Sequence, residues 1–579
     1  MKRLLFIVPL FFSAIGFGQK INHPVSMPGT IIVPASDFLD RNPKGNTISD
    51  AGSLKADWIF NNTAVVLNSK TNLITRINVP EDGLYYLYVR SSGSRGNSFK
   101  VSVGDKVTDQ TFGTDALSWK QGGTFQLKKG MTDIKITRIN ASTTASAVDV
   151  VVLSKNAALK EDDVKPFQLN PDVELIKEYK VPNGVIAKFG DVDGDKKTDF
   201  ATISSDWSVT MFNNSGKELW SWKAPVENTR LRGEFEAPGL LWDFDKDGNA
   251  EFVHWRFIEN KEWLVMADGR TGKEIRKIEW PTKALPHVYN NFRLAIAKLT
   301  KDAPNELVVF TDYGGTINVN AYKADLTPLW QHSEKRLKDN MGHYIYPIDL
   351  NKDGIDEVLV GSLLLDANGK EIWNRFDLLG DNHDHADSYK FGDIDNDGKL
   401  DILISNSETG VYALKAMTKE IIWQSVAEHS QQLQVGNFLK GVPGPQVVIG
   451  GRTYGISGEP GLSSQLYWFD NKGKLISMWP NGYPLNGNPD FVVGNWKGKG
   501  KQEVFWYKFK LDENGEGDLY FPDMVFHMFD FTGRGAEEVI TLSRGSLKVF
   551  GSKSASHSNK DSKSDLNYLR LKVVNHTHY

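Results

Sequence analysis

The 579-residue chain contains no cysteine. Disulfide bonds, cysteine metal ligands and a lipid anchor on a cysteine are therefore excluded. An excess of positive charge is also missing, because 68 Lys and Arg residues stand against 72 Asp and Glu residues and the formal net charge is -4. This balance does not favour a nucleic-acid groove or a surface for anionic membranes, so we expect no nucleic-acid partner.

Apolar runs are scarce, and the most prominent one lies at the N-terminus. Residues 1–19 start with Met1, Lys2 and Arg3, continue with an apolar stretch too short to span a bilayer and end in small residues around Gly18. This pattern predicts a secretory signal peptide over 1–19. No later segment reaches about 18 consecutive apolar residues. We therefore expect no membrane insertion and a monomeric protein that is periplasmic or secreted.

Familiar catalytic motifs are absent as well. The sequence has no Ser-His-Asp order, phosphate-binding loop, His-Glu-x-x-His helix or dinucleotide fingerprint. A glycosidase pair of carboxylates stays open, because 72 acidic residues are available to supply it. Chemistry must therefore be sought in polar clusters that these motifs do not define.

The residues that are abundant, 52 Gly, 18 Tyr and 16 Trp, are typical of an all-β protein with many turns. Residues 20–156 alternate apolar and polar side chains in short runs, which predicts an N-terminal jelly-roll β-sandwich. This domain is similar to the accessory, carbohydrate-binding modules of carbohydrate-active enzymes, with Trp58 and Trp119 as candidate sugar platforms. The alternative is that both tryptophans belong to the core. A polar connector is predicted over 157–180.

An acidic loop recurs through the rest of the chain, with oxygen-bearing side chains at alternate positions and a last carboxylate eight residues after the first. Such spacing supplies the oxygen ligands that calcium requires, and no helix follows as in an EF-hand. The loops resemble the integrin-type (FG-GAP) repeats of propellers, and we predict several structural calcium sites. The first loop has Lys196 where the others have Gly, which weakens its site. The predicted ligands are Asp191, Asp193, Asp195 and Asp199; Asp243, Asp245, Asp247 and Glu251; Asp349, Asn351, Asp353 and Glu357; and Asp393, Asp395, Asp397 and Asp401.

Degenerate copies of the loop begin near 298, 437, 495 and 530, so eight repeat marks can be counted. Short strands and a Trp-containing hairpin lie between the marks, which is typical of propeller blades. We predict a β-propeller over 181–551 with seven or eight blades, and eight is preferred. A Ser/Lys-rich linker and a C-terminal strand that docks on the propeller are predicted over 552–579.

Several polar clusters are not explained by the repeats. His383 and His385 lie just before the cleanest acidic loop, at 393–401. Equivalent segments of successive blades arrive on the same face of a propeller, so other clusters can converge with these two residues. Those clusters contain His287, Tyr289, Asn290 and Arg293; Lys335, Arg336, Lys338, His343 and Tyr344; and His429. The alternatives are a solvated loop at 335–344 and a metal-binding or purely structural task for the two histidines.

The phrase Gly380-Asp-Asn-His-Asp-His-Ala-Asp387, the acidic loops and the repeated Gly-Lys-Glu-Ile-Trp hairpins resemble one known family. They are similar to the propeller of the rhamnogalacturonan lyases of polysaccharide lyase family 11, over roughly 184–550. This resemblance implies β-elimination on a rhamnose- and uronate-containing polysaccharide, with ulvan as an alternative polymer. In such a reaction calcium or a basic side chain neutralises the uronate carboxylate, a base removes the C5 proton and an acid protonates the leaving oxygen.

The resemblance implies site roles for residues of this chain. His383 and His385 become base or acid candidates, Tyr344 a candidate acid, and one calcium ion a candidate for catalysis. The candidate carboxylate clamps are Arg293, Lys335, Arg336 and Lys338, and the other substrate contacts are His343, His287, Tyr289, Asn290, His429, Trp58 and Trp119. Two further functions stay open: a non-catalytic carbohydrate-binding or adhesion propeller, and a related uronate dehydratase or glycoside hydrolase.

Overall fold

The computed structural model describes residues 27–40, 46–49, 51–68, 72–94, 97–139, 145–166, 172–182, 184–225, 239–281, 290–313, 316–335, 342–380, 384–427, 429–454, 460–479, 485–486, 490–543, 545–557 and 565–576. The predicted signal peptide lies outside these residues and stays a prediction. The chain divides into two compact units, Met1–Leu169 with Pro480–Asn486 and Asn170–Trp479 with Gly487–Tyr579. None of the described helices is long and apolar enough to cross a membrane.

The first unit is built on two antiparallel sheets. One sheet orders its strands as Thr47–Ser49, Ala64–Leu67, Ser146–Ser154, Gly83–Ser92 and Ser118–Leu127, and Thr30–Pro34 also pairs with Ser146–Ser154. The other sheet has the order Leu39–Asp40, Asn72–Val79, Gly130–Arg138, Phe99–Val103 and Lys106–Val107. Short 3₁₀ helices span Ala35–Asp37, Phe60–Asn62 and Glu161–Val164, and Leu485–Asn486 forms a further short strand. The predicted β-sandwich is confirmed.

The alternation in the sequence separates the inside from the outside of this sandwich. Val101 and Ile134 belong to one buried cluster, because successive residues of a strand face opposite sides of its sheet. Each such side chain contributes about 1.5–3 kcal/mol when it leaves water. The strand Ser146–Ser154 is buried along its whole length, and it carries Asp149, whose carboxylate lies 2.7 Å from the Arg90 guanidinium. Burial raises the pKa of Asp149 to about 6, although Arg90 opposes the shift.

The two candidate sugar platforms pack against their own domain. Trp58 is 8% exposed, and the Arg90 guanidinium lies 3.8 Å from the centre of its ring. Trp119 is half-buried, stacks on Tyr88 with ring centres 5.3 Å apart and donates its Nε1–H to the Leu159 carbonyl. The platform predicted at Trp58 is therefore wrong, because Arg90 covers a ring face that a sugar would need. One face of the Trp119 ring is covered by Tyr88.

The second unit contains eight sheets in its described part, each built from four consecutive antiparallel strands or, in blade 8, closed by an earlier strand. Blade 1 has Gly184–Gly190, Asp199–Ser204, Val209–Phe212 and Glu218–Trp222; blade 2 has Gly239–Trp242, Glu251–Ile258, Lys261–Asp268 and Glu274–Glu279; blade 3 has Asn290–Ala297, Glu306–Tyr313, Thr316–Tyr322 and Pro328–Lys335; blade 4 has Ile345–Ile348, Glu357–Val360, Leu363–Leu365 and Glu371–Asn374, followed by a 3₁₀ helix at Phe376–Leu378.

The remaining blades continue the same pattern. Blade 5 has Ala386–Gly392, Asp401–Asn406, Gly410–Lys415 and Ile421–Ser425; blade 6 has Ser430–Gly436, Gln446–Tyr454, Pro460–Phe469 and Leu475–Trp479; blade 7 has Phe491–Gly494, Glu503–Trp506, Phe509–Leu511 and Gly517–Tyr520; blade 8 has Val525–Phe529, Glu538–Ser543 and Ser546–Ser552. The preferred eight-bladed propeller is confirmed.

The outermost strand of blade 8 comes from the start of the second unit. Val173–Lys180 pairs with Ser546–Ser552, so the two ends of the propeller sequence meet in one sheet. The connector predicted over 157–180 is therefore too long, since its last residues form a strand. Pairing of early with late residues within one blade closes the ring of blades by backbone hydrogen bonds.

The first strand of each blade is its inner strand. Inner strands of neighbouring blades contact one another, as in blades 1 and 2, 2 and 3, and 5 and 6, and so surround a central channel. In blade 5 the seven-residue inner strand Ala386–Gly392 starts next to His385 and ends next to Asp393. At about 3.3 Å per residue its ends are roughly 20 Å apart. We call the two sides of the propeller the histidine face and the acidic-loop face.

The end of the chain is helical, and the predicted C-terminal strand is wrong. An α-helical turn at Leu566–Tyr568 continues as a π-helix over Leu569–Val574. Asp565 starts the helix, because its carboxylate accepts the backbone N–H groups of residues 567 and 568. The apolar spacing of so short a segment fits a strand and a helix almost equally well.

The helix docks on the propeller, as expected for this segment, and its contacts lie on the acidic-loop face. Arg570 is ion-paired with Asp356, and both side chains are buried. Asn575 holds the end of the blade 3 inner strand, because its side chain accepts from the Ile296 N–H at 2.7 Å and donates to the Ile296 carbonyl at 2.8 Å. A cavity of about 730 Å³ lies beside this helix and the loops of blades 1 and 2.

Candidate active site

Three side chains meet at the histidine face. His343 Nε2 lies 3.4 Å from Asp387 Oδ1, and His385 Nε2 lies 3.3 Å from the same oxygen. The two imidazole rings are perpendicular, with centres 4.8 Å apart. His343 is 2% exposed, His385 15% and Asp387 not at all, so only His385 offers part of its ring to a ligand. We call these three residues the histidine–aspartate group.

Two neighbouring blades bring this group together. His385 directly precedes the inner strand of blade 5, and His343 lies just before that of blade 4. The His343 N–H donates to the Ala386 carbonyl at 3.3 Å, and Gly342 forms a parallel bridge with Ala386. Gly342 has a φ of +150°, and a Cβ there would clash with the Ala386 carbonyl oxygen. The crossing of the two segments therefore requires glycine.

Asp384, which also belongs to the cluster expected from the sequence, builds the loop instead. Its Oδ2 accepts from the Gly380 N–H at 2.7 Å and from the Thr409 hydroxyl at 2.8 Å. Its Oδ1 accepts from the Glu408 N–H at 2.8 Å. A fully buried carboxylate with these donors is satisfied in place. Asp384 thus fixes the segment that presents His385.

Burial and mutual charge set the protonation of the histidine–aspartate group. Burial lowers the pKa of His343 to about 4, although Asp387 opposes the shift. Burial also acts to raise the pKa of Asp387, but its interactions with His385 and His343 prevail and lower it to about 2. At neutral pH the group therefore holds an ionised carboxylate and a neutral His343.

Basic side chains from the channel wall complete the site. Arg293 on the blade 3 inner strand is 7% exposed, and its guanidinium lies 5.3 Å from the ring centre of Tyr344. It also contributes to the low pKa of His343. Tyr344 is 1% exposed, which places it beneath Arg293 rather than on the channel surface. Lys188 on the blade 1 inner strand has a pKa lowered to about 8 by burial and by Arg293.

A third histidine lies at the start of blade 6. His429 precedes the inner strand of blade 6, and its Nδ1 lies 3.4 Å from Glu408 Oε1. Burial lowers its pKa, and the opposing interactions with Asp387 and Glu408 do not cancel this shift. His385 and His429 thus occupy the same place, directly before the inner strands of blades 5 and 6. His343 corresponds instead to Asp387, because each of these two residues lies six positions before the first residue of the acidic loop in its own blade.

Several predicted site residues fall elsewhere or outside the described part of the chain. Lys335 is exposed at the end of the outermost strand of blade 3, so it is not part of the histidine–aspartate group, and its predicted contact with substrate stays a prediction. Asn290 begins the inner strand of blade 3. Those outside the described residues are His287, Tyr289, Arg336, Lys338 and His383. Their assignments stay predictions.

The acidic loops lie on the opposite face and have a geometry suited to cations. Ligand oxygens lie within 4.8 Å of one another in three loops, those of Asp191, Asp193 and Asp199, of Asp243, Asp245 and Glu251, and of Asp393, Asp395 and Asp401. Burial and neighbouring carboxylates raise the pKa of Asp199 to about 6 and that of Glu251 to about 7. Such repulsion is what a bound cation relieves, so the donor set of blades 1 and 2 fits a divalent ion.

The third intact loop, in blade 4, uses its residues in a different way. The amide of Asn351 donates to Glu357 Oε1 at 2.6 Å, and Asp349 accepts the N–H groups of Asp353 and Gly354 at 3.1 and 2.9 Å. Its oxygens remain on one short turn, in the arrangement that a hard cation uses.

The last side chain of the loop also has a structural task that needs no metal. In seven blades its oxygen accepts the N–H of a residue near the start of the same loop; these acceptors are Asp199, Glu251, Glu306, Glu357, Asp401, Gln446 and Glu538. The bond closes the loop on itself and satisfies a buried donor. This explains why the position persists in loops that have lost other ligands.

No family model matches the chain. A curated relative, rhamnogalacturonan endolyase YesW of Bacillus subtilis (strain 168), is 21% identical over 420 residues, which cover 64% of this chain and 62% of the relative. The chain thus aligns with less than two thirds of that relative. The solved rhamnogalacturonan lyase PL11 of Bacillus licheniformis matches with a TM-score of 0.52 at 16% identity, over 94% of this chain and 96% of that one. The exotype rhamnogalacturonan lyase YesX gives 0.50 at 15% identity, over 94% of each chain.

This chain has the fold of the rhamnogalacturonan lyases. The likeness extends over both units, because it covers 94% of the chain. At such identities it establishes the fold, and the chemistry has to be inferred from the residues of the histidine face.

Two channel residues of this rhamnogalacturonan lyase fold escaped the sequence analysis. Lys188 and Lys390 both stand three residues before the first acidic-loop residue of their blades, Asp191 and Asp393. Lys390 Nζ lies 3.1 Å from the Tyr346 hydroxyl. The repeat register carried this signal, since equal distance from the loop means an equal position on the channel wall.

Proposed function

We propose that the protein is a polysaccharide lyase that cleaves a rhamnose- and uronate-containing polysaccharide by β-elimination. The observation that carries the proposal is the histidine–aspartate group beside Arg293. It places a partly exposed imidazole, a buried carboxylate and a fixed cation at one end of the channel. The similarity to rhamnogalacturonan lyases supports the same reaction class and leaves ulvan as an alternative polymer.

His385 is the base in this proposal. Its Nε2 faces Asp387 at 3.3 Å, and its Nδ1 lies 3.4 Å from the Ser407 hydroxyl. The tautomer that donates from Nε2 to Asp387 leaves Nδ1 as the nitrogen that accepts a proton. Asp387 holds the ring in that tautomer and stabilises the imidazolium that forms, as a carboxylate does for a catalytic histidine.

Cations of the channel make the C5 proton acidic. The guanidinium group of Arg293 can pair with a uronate carboxylate in a bidentate manner. Lys188, which interacts electrostatically with Arg293, adds a second positive charge. Neutralising the carboxylate stabilises the carbanion-like charge that develops when the proton leaves.

The elimination breaks one C–H bond and one C–O bond and forms one double bond. His385 takes the C5 proton, a C4–C5 double bond forms, the C4–O bond breaks and the leaving oxygen takes a proton. We assign that proton to His429, which lies at the place in blade 6 that His385 has in blade 5 and whose lowered pKa makes its imidazolium form a stronger acid.

Calcium is the cation proposed for the acidic loops of blades 1, 2 and 4. Its positive charge would offset the repulsion between neighbouring carboxylates, and its binding would stabilise the folded conformation of each loop. His343, His385 and Asp387 also satisfy the spacing of a metal site. Two imidazoles and one carboxylate suit a transition metal better than calcium, and elemental analysis of the purified protein distinguishes this use of the group from the lyase proposal.

The decisive experiment is an absorbance assay for the 4,5-unsaturated uronate. Rhamnogalacturonan and ulvan are each incubated with the wild type, with His385→Ala and with His332→Ala. His332 is a matched control, because it lies on the outermost strand of blade 3 near Glu334. The proposal requires activity on at least one polymer that His385→Ala loses and His332→Ala keeps.

A different result would favour the adhesion alternative. Retention of the protein on a polysaccharide column with no absorbance from either polymer or its oligosaccharides would rule out the lyase. We also infer export through residues 1–19, since the polymer lies outside the cell. Fractionation of cells that express the full chain, with N-terminal sequencing of the mature protein, tests this inference.

A further inference from the structure

The acidic loop of blade 5 contains a lysine ammonium group. Lys415 ends the third strand of blade 5 and is paired directly with Asp401 across the sheet. Its Nζ lies 2.5 Å from Asp395 Oδ2, 2.7 Å from Asp397 Oδ2 and 3.5 Å from Asp401 Oδ1. Asp395 and Asp401 also belong, with Asp393, to the group of three carboxylates in this loop whose oxygens lie within 4.8 Å of one another. A cation that belongs to the chain therefore occupies the position predicted for calcium.

The same place in blades 2 and 4 is acidic. In blade 2 it is Asp268, paired with Glu251, and its carboxylate accepts the Thr271 N–H of the following hairpin at 2.7 Å. In blade 4 it is Asp366, which accepts the N–H groups of residues 368 and 370 at 2.8 and 2.9 Å. These side chains stabilise their own turns. A lysine cannot accept such bonds, so the Lys415 side chain extends to the loop instead.

Partial burial strengthens the electrostatic interaction between Lys415 and the carboxylates of the loop. Asp401 is fully buried, Lys415 is 24% exposed and Asp395 is 30% exposed, so water screens the charges only in part. The Lys415 ammonium group contacts the Asp395 carboxylate and donates a hydrogen bond to the Asp397 carboxylate. Calcium needs six to eight oxygens at about 2.3–2.6 Å. The ammonium group uses the same oxygens at hydrogen-bond distance, and the two cations cannot share them.

We propose that Lys415 is a built-in cation that replaces calcium in the blade 5 loop. The loop with the cleanest calcium motif in the sequence then needs no divalent ion in the wild-type protein. A latent calcium site opens only when the lysine is removed. This inference concerns the acidic-loop face and does not depend on the proposed activity.

Calcium stoichiometry tests the proposal. Wild-type protein, Lys415→Met, Asp395→Asn and the double variant are stripped with a chelator, and bound calcium per molecule is measured by equilibrium dialysis. We expect Lys415→Met to bind one ion more than the wild type, Asp395→Asn to match the wild type, and the double variant to lose the additional ion. Lys323→Met is the matched control, because Lys323 is exposed just after Tyr322, the partner of Leu307, beside the degenerate loop of blade 3. It should leave the stoichiometry unchanged.

Melting temperatures add a second readout. In chelator, Lys415→Met should melt below the wild type, and saturating calcium should restore it. The proposal fails if Asp395→Asn alone reduces the wild-type stoichiometry by one, since the loop then binds calcium beside Lys415. It also fails if Lys415→Met gains no ion. If Lys415→Met does not fold, Asp395→Asn alone decides, because an unchanged stoichiometry supports the proposal and a loss overturns it.

Discussion

The two faces of the propeller use the same eight repeats in opposite ways. On the acidic-loop face, equivalent positions carry similar residues, and seven blades make the same bond between the last side chain of the loop and its first residues. On the histidine face, equivalent positions carry different chemistry, because the position of His343 in blade 4 is occupied by Asp387 in blade 5. Repetition on one face stabilises the fold, whereas variation on the other face produces a site.

This difference makes the two faces separable by mutation. Changes on the histidine face should reduce turnover and leave the folded state intact, because its residues are held by backbone that other groups fix. Changes on the acidic-loop face should lower stability and leave the turnover of the folded molecules unchanged.

The largest effect is expected for His385→Ala. Removal of a general base typically costs about 100-fold to 10,000-fold in rate, and the melting temperature should stay within about 2 °C of the wild type because a partly exposed side chain is lost. Initial rates from the absorbance of the unsaturated product, with thermal unfolding of the same samples, check this. A variant that unfolds early would assign His385 to the structural alternative.

The second effect is a loss of stability in Arg570→Ala. Arg570 and Asp356 are 3% and 1% exposed, and a buried carboxylate left without its partner costs about 3–5 kcal/mol. Chemical denaturation measures the free energy of unfolding. Arg276→Ala is the control, since its pair with Asp325 is exposed and separated by 3.5 Å, and it should cost less than about 1 kcal/mol. Equal losses in both variants would show that the C-terminal helix does not depend on this pair.

The third effect separates hydrogen bonding from cation binding in blade 2. Glu251 accepts the Phe244 N–H at 2.8 Å, and blade 6 uses Gln446 for the same bond. In chelator, Glu251→Ala should lose about 1–3 kcal/mol because a buried donor is left unpaired, and Glu251→Gln should lose almost nothing. In calcium both variants should fall below the wild type. Thermal unfolding in chelator measures the contribution of the hydrogen bond, and thermal unfolding in calcium adds the contribution of cation binding. Equal losses of stability in Glu251→Ala and Glu251→Gln in chelator would contradict the structural role of this hydrogen bond.

The smallest effect is a pH dependence that belongs to Lys188. Its pKa is lowered to about 8, so the positive charge is present below pH 8 and disappears as the pH rises through that value. KM for an anionic polymer should therefore increase about three- to tenfold between pH 7 and pH 9, as the charged fraction falls. Lys188→Arg should flatten the profile, because arginine stays charged. Lys180→Arg, on the exposed outer strand of blade 8, should keep the wild-type profile.

Local patterns predicted much of the fold. The alternation of Val101 and Ile134 with polar neighbours specified the sandwich, and the repeat marks specified the propeller and its eight blades, because both depend on short-range periodicity. The helix after Asp565 was mistaken for a strand, since its few apolar residues satisfy either period. The strand Val173–Lys180 was missed because its partner, Ser546–Ser552, lies at the other end of the propeller sequence.

The candidate site was predicted only in part. The shared position of His385 and His429 followed from the repeat register, and His343 and Arg293 followed from their clusters. Lys188 was missed, although it stands at the same distance from its loop as Lys390. Its lowered pKa is a property of the surrounding wall of the channel, and no local pattern contains that information.

By itself, the sequence determined that each acidic loop could gather carboxylates around a cation, because the ligands lie within nine residues of one another. Only the tertiary structure decided which cation could be present. In blade 5, Lys415 reaches the loop from a neighbouring strand, and a cross-strand pair depends on sheet register rather than on sequence distance. The same reason explains the histidine–aspartate group, whose members come from two blades.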